Sequence, residues 1–336
     1  MFRNNLKRSG VYDSTLTAPP EEKWSFTADG IIQTSPIVKE GIVYCGSNDY
    51  HIYALNGKTG EKLWAFETGE RIKSTPAISD GILFVGSLDE YLYAINLADG
   101  SEKWKFKTDG AIKSSPLVHD GKVYFGSLDG NFYALNANDG SELWRFESNG
   151  EIDSSPALDN HTLYFGSWDG NLYAIDCNKG TEKWRFPTDG YVMSTPAVYE
   201  GIVYFGSNDA VFYALHGTSG EEFWKSDCRA KIISSAAVNK DYAIIGSVDG
   251  IIHCLDGKTG EALWRFMSGH TLYSCASIAG KMVYIGSENG TVYALNIENG
   301  ETLWTIKVGE LIESEAVIAD GMIYFGSWDE KIHAFG

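Results

Sequence analysis

Eight tryptophans at a constant 40-residue interval, a Gly-Ser pair recurring at that interval and four short apolar runs within each interval predict an all-β fold. The architecture they describe is an eight-bladed β-propeller of four-stranded antiparallel blades. The tryptophans are Trp24, Trp64, Trp104, Trp144, Trp184, Trp224, Trp264 and Trp304, and the pairs begin at Gly46, Gly86, Gly126, Gly166, Gly206, Gly246, Gly286 and Gly326. Eight units of 40 account for 320 of the 336 residues. Length alone suggests two domains at about 150 residues each. The repeat replaces that with one domain over 1–336, comprising a lead-in over 1–20 and the array over 21–336.

The second unit shows the elements in order. Residues 72–78, 82–87, 91–96 and 102–107 read as strands bounded by the turn pairs Asp80-Gly81, Asp89-Glu90 and Asp99-Gly100. Glycine supplies the positive φ that a tight hairpin requires. The innermost run carries Ser-Thr-Pro-Ala or a close variant, beginning at Ser74, Ser114 and Ser154. Small side chains suit strands that crowd an axis, and proline is tolerated where a strand has a free edge facing the channel. An apolar residue precedes the cluster in every unit (Ile32, Ile72, Ile112, Ile152, Val192, Ile232, Leu272, Ile312), as packing between blades requires. The array contains no sustained helical period.

The two ends are complementary. Trp24 and Phe26 read as an outermost strand without its inner three, whereas residues 312–335 supply three inner strands and stop before a tryptophan strand. The N-terminal strand is therefore predicted to complete the last blade. Such closure removes frayed ends and makes the array cooperative.

Composition narrows the function. With 45 acidic against 27 basic residues, the net charge is −18, which argues against non-specific nucleic-acid binding and against docking on anionic lipid. At 43% hydrophobic and 13% aromatic residues the chain can bury a large core. Apolar runs such as 243–246 are too short to cross a bilayer, so no membrane insertion is expected. The opening Phe2-Arg-Asn-Asn-Leu-Lys-Arg is basic, but no apolar stretch follows it, so no signal peptide is expected. Cys45, Cys177, Cys228, Cys254 and Cys275 form no C-x-x-C pair and read as free thiols. They favour a cytoplasmic setting, or a periplasmic or extracellular one if a leader has been removed.

The stretch Ala54-Leu-Asn-Gly-Lys-Thr-Gly60-Glu-Lys-Leu-Trp64 resembles the tryptophan-docking motif of the quinoprotein-like (PQQ-like) eight-bladed propellers. Near-copies occupy 94–104, 134–144, 174–184, 214–224 and 294–304, and 254–264 with Cys254 in place of alanine. WD40 repeats match poorly, because Trp-Asp occurs only at Trp168 and Trp328, in turns. The family resembled contains PQQ-dependent alcohol dehydrogenases, BamB-like outer-membrane assembly scaffolds and sensor propellers attached to bacterial kinases. Residues 1–12 look like the lead-in of its non-dehydrogenase members.

The dehydrogenase branch implies PQQ, a planar tricarboxylate needing an aromatic floor, positive charge and usually Ca²⁺. Its members also carry adjacent cysteines and long roofing insertions, neither of which this chain has. Trp168 and Trp328 each offer a ring but lie four blades apart. No cofactor is expected, PQQ with Ca²⁺ being the alternative the resemblance carries.

In a regular array, function is sought where the pattern breaks. One channel-mouth column reads Gln33, Lys73, Lys113, Asp153, Met193, Ile233, Tyr273, Glu313, and the column two residues earlier contains Arg71, Glu151 and Tyr191. Arg71, Lys73 and Lys113 form a basic sector that, with Asp153, Tyr191, Trp168 and Trp328, suits a carboxylate or phosphate ligand. The competing reading is a solvated rim in which the lysines pair with Glu151, Asp153 and Glu313.

The second break lies in blades 6–8, where Ala236, Ala276 and Ala316 replace proline and Ser226 replaces phenylalanine. Cys275, His270, Tyr273, Glu313 and Glu315 nearby comprise the residue types of a nucleophile, a base and acids. The competing reading is that Cys275 is one more small inner residue and His270 a solvated loop histidine, so no catalytic residue is assigned. No metal site is expected. The aspartate of Ser-x-Asp (Asp49, Asp89, Asp129, Asp169, Asp209, Asp249, Asp329, with Asn289 the exception) reads as a turn residue. His253 and His333 replace a column tyrosine, and the sequons at Asn160 and Asn289 are chance matches.

The function expected is a monomeric binding, scaffold or sensor module. Its partner would be a protein or peptide segment, or a small anionic ligand, at one face and the channel mouth. The rival is an enzyme using the blade 6–8 cluster without cofactor, or a degenerate PQQ-dependent dehydrogenase.

Overall fold

The computed structural model describes residues 3–13, 16 and 18–336. Its strands form eight sheets arranged as a ring of blades. Blade 1 consists of Ile37–Lys39, Ile42–Gly46, His51–Asn56 and Lys62–Glu67, from the axis outward, each antiparallel to the next. Blades 2–7 repeat this order at 40-residue steps, from Ala77–Ser79 to Thr302–Lys307. Blade 8 joins Val317–Ala319, Met322–Gly326 and Lys331–Phe335 to the N-terminal Glu22–Thr27, with Trp24 opposite Ala334. The ring is thus closed by the pairing of its two ends, as the complementary termini predict. Among the described residues no helix is long and apolar enough to cross a membrane.

The innermost strands are shorter than the sequence suggests. In blade 2 only Ala77–Ser79 is strand, not 72–78. Pro76 has no N–H for a ladder, and the small residues before it bond sideways instead. The Ser74 hydroxyl donates to Ser114 O at 3.1 Å, and Thr75 N donates to the Ser115 hydroxyl at 3.0 Å. The Ser/Thr cluster therefore ties neighbouring blades together around the axis.

The core is divided into wedges between neighbouring blades. One such wedge combines Phe84, Leu92 and Ile112 with Val123, Phe125 and Leu135. Gly86, of the Gly-Ser pair, makes this possible, since a Cβ there would lie 2.2 Å from Ile112 Cγ2. The repeating tryptophan seals the outer part of each wedge. Trp64 Nε1 donates to Leu97 O at 3.1 Å, and its ring lies against Gly100, whose φ is +74°. Trp24, Trp104, Trp184, Trp224 and Trp264 make the same bond to the next blade's turn.

The lead-in departs from expectation. The inner edges of blades 4–7 are not free: Leu158, Val198, Val238 and Ile278 donate their N–H groups to the carbonyls of Leu6, Lys7, Ser9 and Gly10, each at 2.8 Å. Val11–Tyr12 then continues as a parallel fifth strand on blade 7, opposite Ile278 and Ala279. Buried edge donators without partners would cost free energy, and the lead-in supplies acceptors for half of the ring.

Candidate functional site

The channel has two unlike ends. At one, the lead-in inserts two wholly buried arginines. Arg3 donates through Nη2 to Ala236 O and, at 3.2 Å, to Ala276 O, and its Nη1 lies 3.8 Å from Glu315 Oε1. Arg8 donates to Pro156 O and Pro116 O, each at 2.9 Å. Burial, and then the Arg3 charge, lower the Arg8 guanidinium to about 9. Burial also raises the Glu315 carboxyl against the opposing pull of Arg3, while the Ser277 hydroxyl donates to its Oε1 at 3.1 Å.

Three of the irregular positions in blades 6–8, Ala236, Ala276 and Glu315, are therefore partners of Arg3. A glutamate in a column otherwise filled by Ser, Thr and one Cys was the signal for this, because a buried carboxylate needs a buried cation. Glu315 is enclosed on the axis, and Cys275 is half-buried in the same column. His270 is exposed in the turn after blade 6, its N–H bonded to the Ser268 hydroxyl. Among the described residues no hydrogen bond joins Cys275 to His270 or Glu315. Tyr273 and Glu313, in contrast, meet at the other end of the channel.

That end is an open mouth. Gln33, Tyr273, Glu288, Leu311, Glu313 and Trp328 line a cleft of about 370 Å³. Glu313 Oε2 accepts from Gln33 Nε2 at 2.6 Å and from Trp328 Nε1 at 3.4 Å, and Gln33 Oε1 accepts from Asn48 Nδ2 at 2.8 Å. Trp328 and Tyr273 remain 39% and 38% exposed, which is large for such rings. Glu288, missed in the sequence reading, breaks a second column (Asn48, Leu88, Leu128, Trp168, Asn208, Val248, Glu288, Trp328) that would have revealed it.

Across the ring, Trp168 stacks on Tyr191 with centroids 5.4 Å apart and planes at 9°. Lys113 Nζ lies 5.9 Å from the Trp168 ring and 3.7 Å from Asp153 Oδ2. Burial raises the Asp153 carboxyl despite Lys113 and Lys73. Lys73 is half-buried and Arg71 exposed on the same side. The mouth therefore has a cationic aromatic pole on blades 2–5 and an acidic aromatic pole where blades 7, 8 and 1 meet.

The remaining candidates are structural in geometry. Asp89 accepts from Tyr91 N at 3.0 Å, the Tyr93 hydroxyl at 2.7 Å and Gly69 N at 2.6 Å, clamping its turn to the connector between blades. His253 is buried against the Ser247 hydroxyl at 3.0 Å, and burial, followed by Arg265, lowers its imidazole to about 4. His333 lies between Asp329, at 3.0 Å, and Glu22, at 3.1 Å. Cys45, Cys228 and Cys254 are free, buried thiols pushed up to about 12 by burial. Among the described residues no group of three or more His, Cys, Asp or Glu is placed to hold a metal ion.

A family model described as outer membrane protein assembly factor BamB matches residues 17–74, 61–152, 129–265 and 248–335. Among solved structures, BamB from Moraxella catarrhalis superposes with a TM-score of 0.83 at 20% identity, covering 95% of this chain and 98% of that one. A europium-containing methanol dehydrogenase superposes with a TM-score of 0.85 at 15% identity, covering 98% of this chain and 90% of that one. A computationally designed protein, Ika8, gives 0.83 at 17% identity, with 94% and 99% covered. At these identities the likeness is one of fold. A search of curated proteins finds no match.

Proposed function

The chain belongs to the family described as outer membrane protein assembly factor BamB, and from that premise we propose that it is a non-catalytic scaffold binding a protein segment across its open mouth. The observation that carries this reading is the asymmetry of the channel. The lead-in closes one end, while the other presents two aromatic platforms of opposite charge. Rigid aromatic side chains flanked by fixed charges are the usual anchors of protein recognition. The poles lie four blades apart, so an extended segment with an acidic and a basic stretch can touch both. A small anion would touch only the Arg71, Lys73 and Lys113 side.

The residues present do not form a cradle for PQQ. Tyr191 already stacks on Trp168, and the Lys113 charge is shared with Asp153. The Trp328 ring sits beside Glu313 and Glu288, which would repel a tricarboxylate. The family's name points to outer-membrane protein assembly, and a protein partner is the class this mouth fits best.

Photo-crosslinking in the cells that make the protein tests this. A photoreactive residue at position 191 or 328 should capture a protein partner, and one at Leu143 on the outer rim should not. Capture at the mouth no greater than at Leu143 would overturn the reading.

A further inference from the structure

The outermost strand of each blade is an edge strand, with one side of its backbone unpaired. Such edges invite pairing with other chains unless charge guards them. The eight blades provide an internal comparison of that guarding. In blades 2–5 the strand opens with a glutamate paired to the cation three residues on: Glu102–Lys105 at 3.5 Å, Glu142–Arg145 at 2.6 Å, Glu182–Arg185 at 2.9 Å and Glu222–Lys225 at 3.1 Å. Blades 8 and 1 also open with a charge, Glu22 and Lys62.

Blades 6 and 7 both lack this guard, but blade 7, which opens with Thr302, has Thr305 where the cation stands in blades 2–5, so blade 6 alone keeps that cation without its glutamate. The outer strand of blade 6, Ala262–Met267, begins with alanine where glutamate stands in blades 2–5 and 8. Arg265 is therefore exposed without an ion-pair partner among the described residues. The strand ends in Met267, 78% exposed, where the other blades have Thr27, Glu67, Lys107, Glu147, Pro187, Asp227 and Lys307. Leu263, Arg265 and Met267 alternate on one face and span about 13 Å. The column of Leu263 is exposed and apolar also at Leu63, Leu143, Phe223 and Leu303, and holds Lys23, Lys103 and Lys183 on blades 8, 2 and 4. The feature peculiar to blade 6 is therefore the pairing of Leu263 with an unguarded Arg265 and an exposed Met267.

We propose that this edge pairs with an extended strand of a partner protein whose alternate residues read apolar, acidic, apolar. Backbone hydrogen bonds along Ala262–Met267 would supply affinity. The partner's carboxylate would neutralise Arg265, and its apolar side chains would cover Leu263 and Met267. A second copy of this chain is a poor occupant. Antiparallel pairing centred on Arg265 would set two guanidiniums opposite each other, between molecules of net charge −18 each. The observations are independent of the channel mouth.

Fluorescein-labelled TVTETVT and its control TVTKTVT, titrated against the full chain by fluorescence anisotropy, test the proposal. The glutamate peptide should bind saturably, and the lysine peptide at least about tenfold more weakly. Ala262→Glu, which restores the guard, should weaken the glutamate peptide by a similar factor. Arg265→Glu should invert the preference. Both substitutions lie on the exposed edge, and unchanged melting temperatures would establish that the ring is intact. The proposal fails if the glutamate peptide does not saturate by about 1 mM, or if the two peptides bind alike. It fails equally if sedimentation reveals a dimer that Ala262→Glu abolishes, since the occupant would then be a second copy.

Discussion

Arg3 and Glu315 meet on the propeller axis 3.8 Å apart, with both side chains fully buried, although they stand at opposite ends of the chain. The pair fastens the lead-in to blades 6–8, beside the Arg3 bonds to Ala236 and Ala276. An ion pair in such surroundings is costly to break from one side only.

Replacing Arg3 or Glu315 alone by alanine should therefore cost about 3–5 kcal/mol, because each leaves an uncompensated buried charge. Replacing both by alanine should cost clearly less than the two single losses together. Urea unfolding of the four proteins measures this, and strict additivity would show that the two groups do not interact.

His253 predicts a pH dependence. Its imidazole is lowered to about 4 in the folded chain, against an ordinary value of 6.5. Above pH 6.5 it is neutral in both states and its neutral burial contributes in full. As pH falls from 6.5 to 4 the unfolded chain takes up a proton that the folded chain refuses, and stability declines by up to about 3 kcal/mol. His253→Tyr, which restores the column residue, should remove that part of the decline. Urea midpoints at pH 7.5, 5.5 and 4.5 that fall equally in both proteins would contradict the assignment.

Two glycines of the second unit separate backbone strain from packing. Gly81 and Gly100 both have φ of +74°, but a Cβ at Gly81 would meet nothing within 4 Å, whereas at Gly100 it would lie 2.8 Å from the Trp64 ring. Gly81→Ala should cost about 1 kcal/mol from the left-handed backbone alone. Gly100→Ala should cost about 2–4 kcal/mol, since it also displaces the docked indole. Equal losses in chemical denaturation would mean that the tryptophan contact contributes nothing.

Addition of PQQ with Ca²⁺ should leave the melting temperature unchanged. A ligand at 100 times its Kd would add about 2.7 kcal/mol, enough for a measurable rise. Differential scanning calorimetry with and without the pair decides this, and a saturable rise would reinstate the quinoprotein alternative.

The parts of the molecule legible in its sequence are those that recur. The Trp64–Leu97 bond, the Ser74–Ser114 bond and the Gly86–Ile112 contact each join a residue to the neighbouring unit, so each appears as a period. Mouth residues such as Lys113, Asp153 and Trp328 were legible as breaks in their columns. Their pairing was not. The Trp168–Tyr191 stack and the Gln33–Glu313 bond join different columns or different ends of the chain.

The residue order alone determined eight blades, their strand order and the joining of the termini, because turn chemistry, alternation and spacing are local properties that repetition amplifies. Only the tertiary structure decided which end of the channel is open, which charges on the axis are neutralised and why Glu315 interrupts its column. The lead-in that settles all three has no repeat of its own. Its partners are backbone N–H groups and carbonyls of blades 3–7 and the distant carboxylates of Asp159 and Glu315, which reach it through space and leave no periodic trace along the chain.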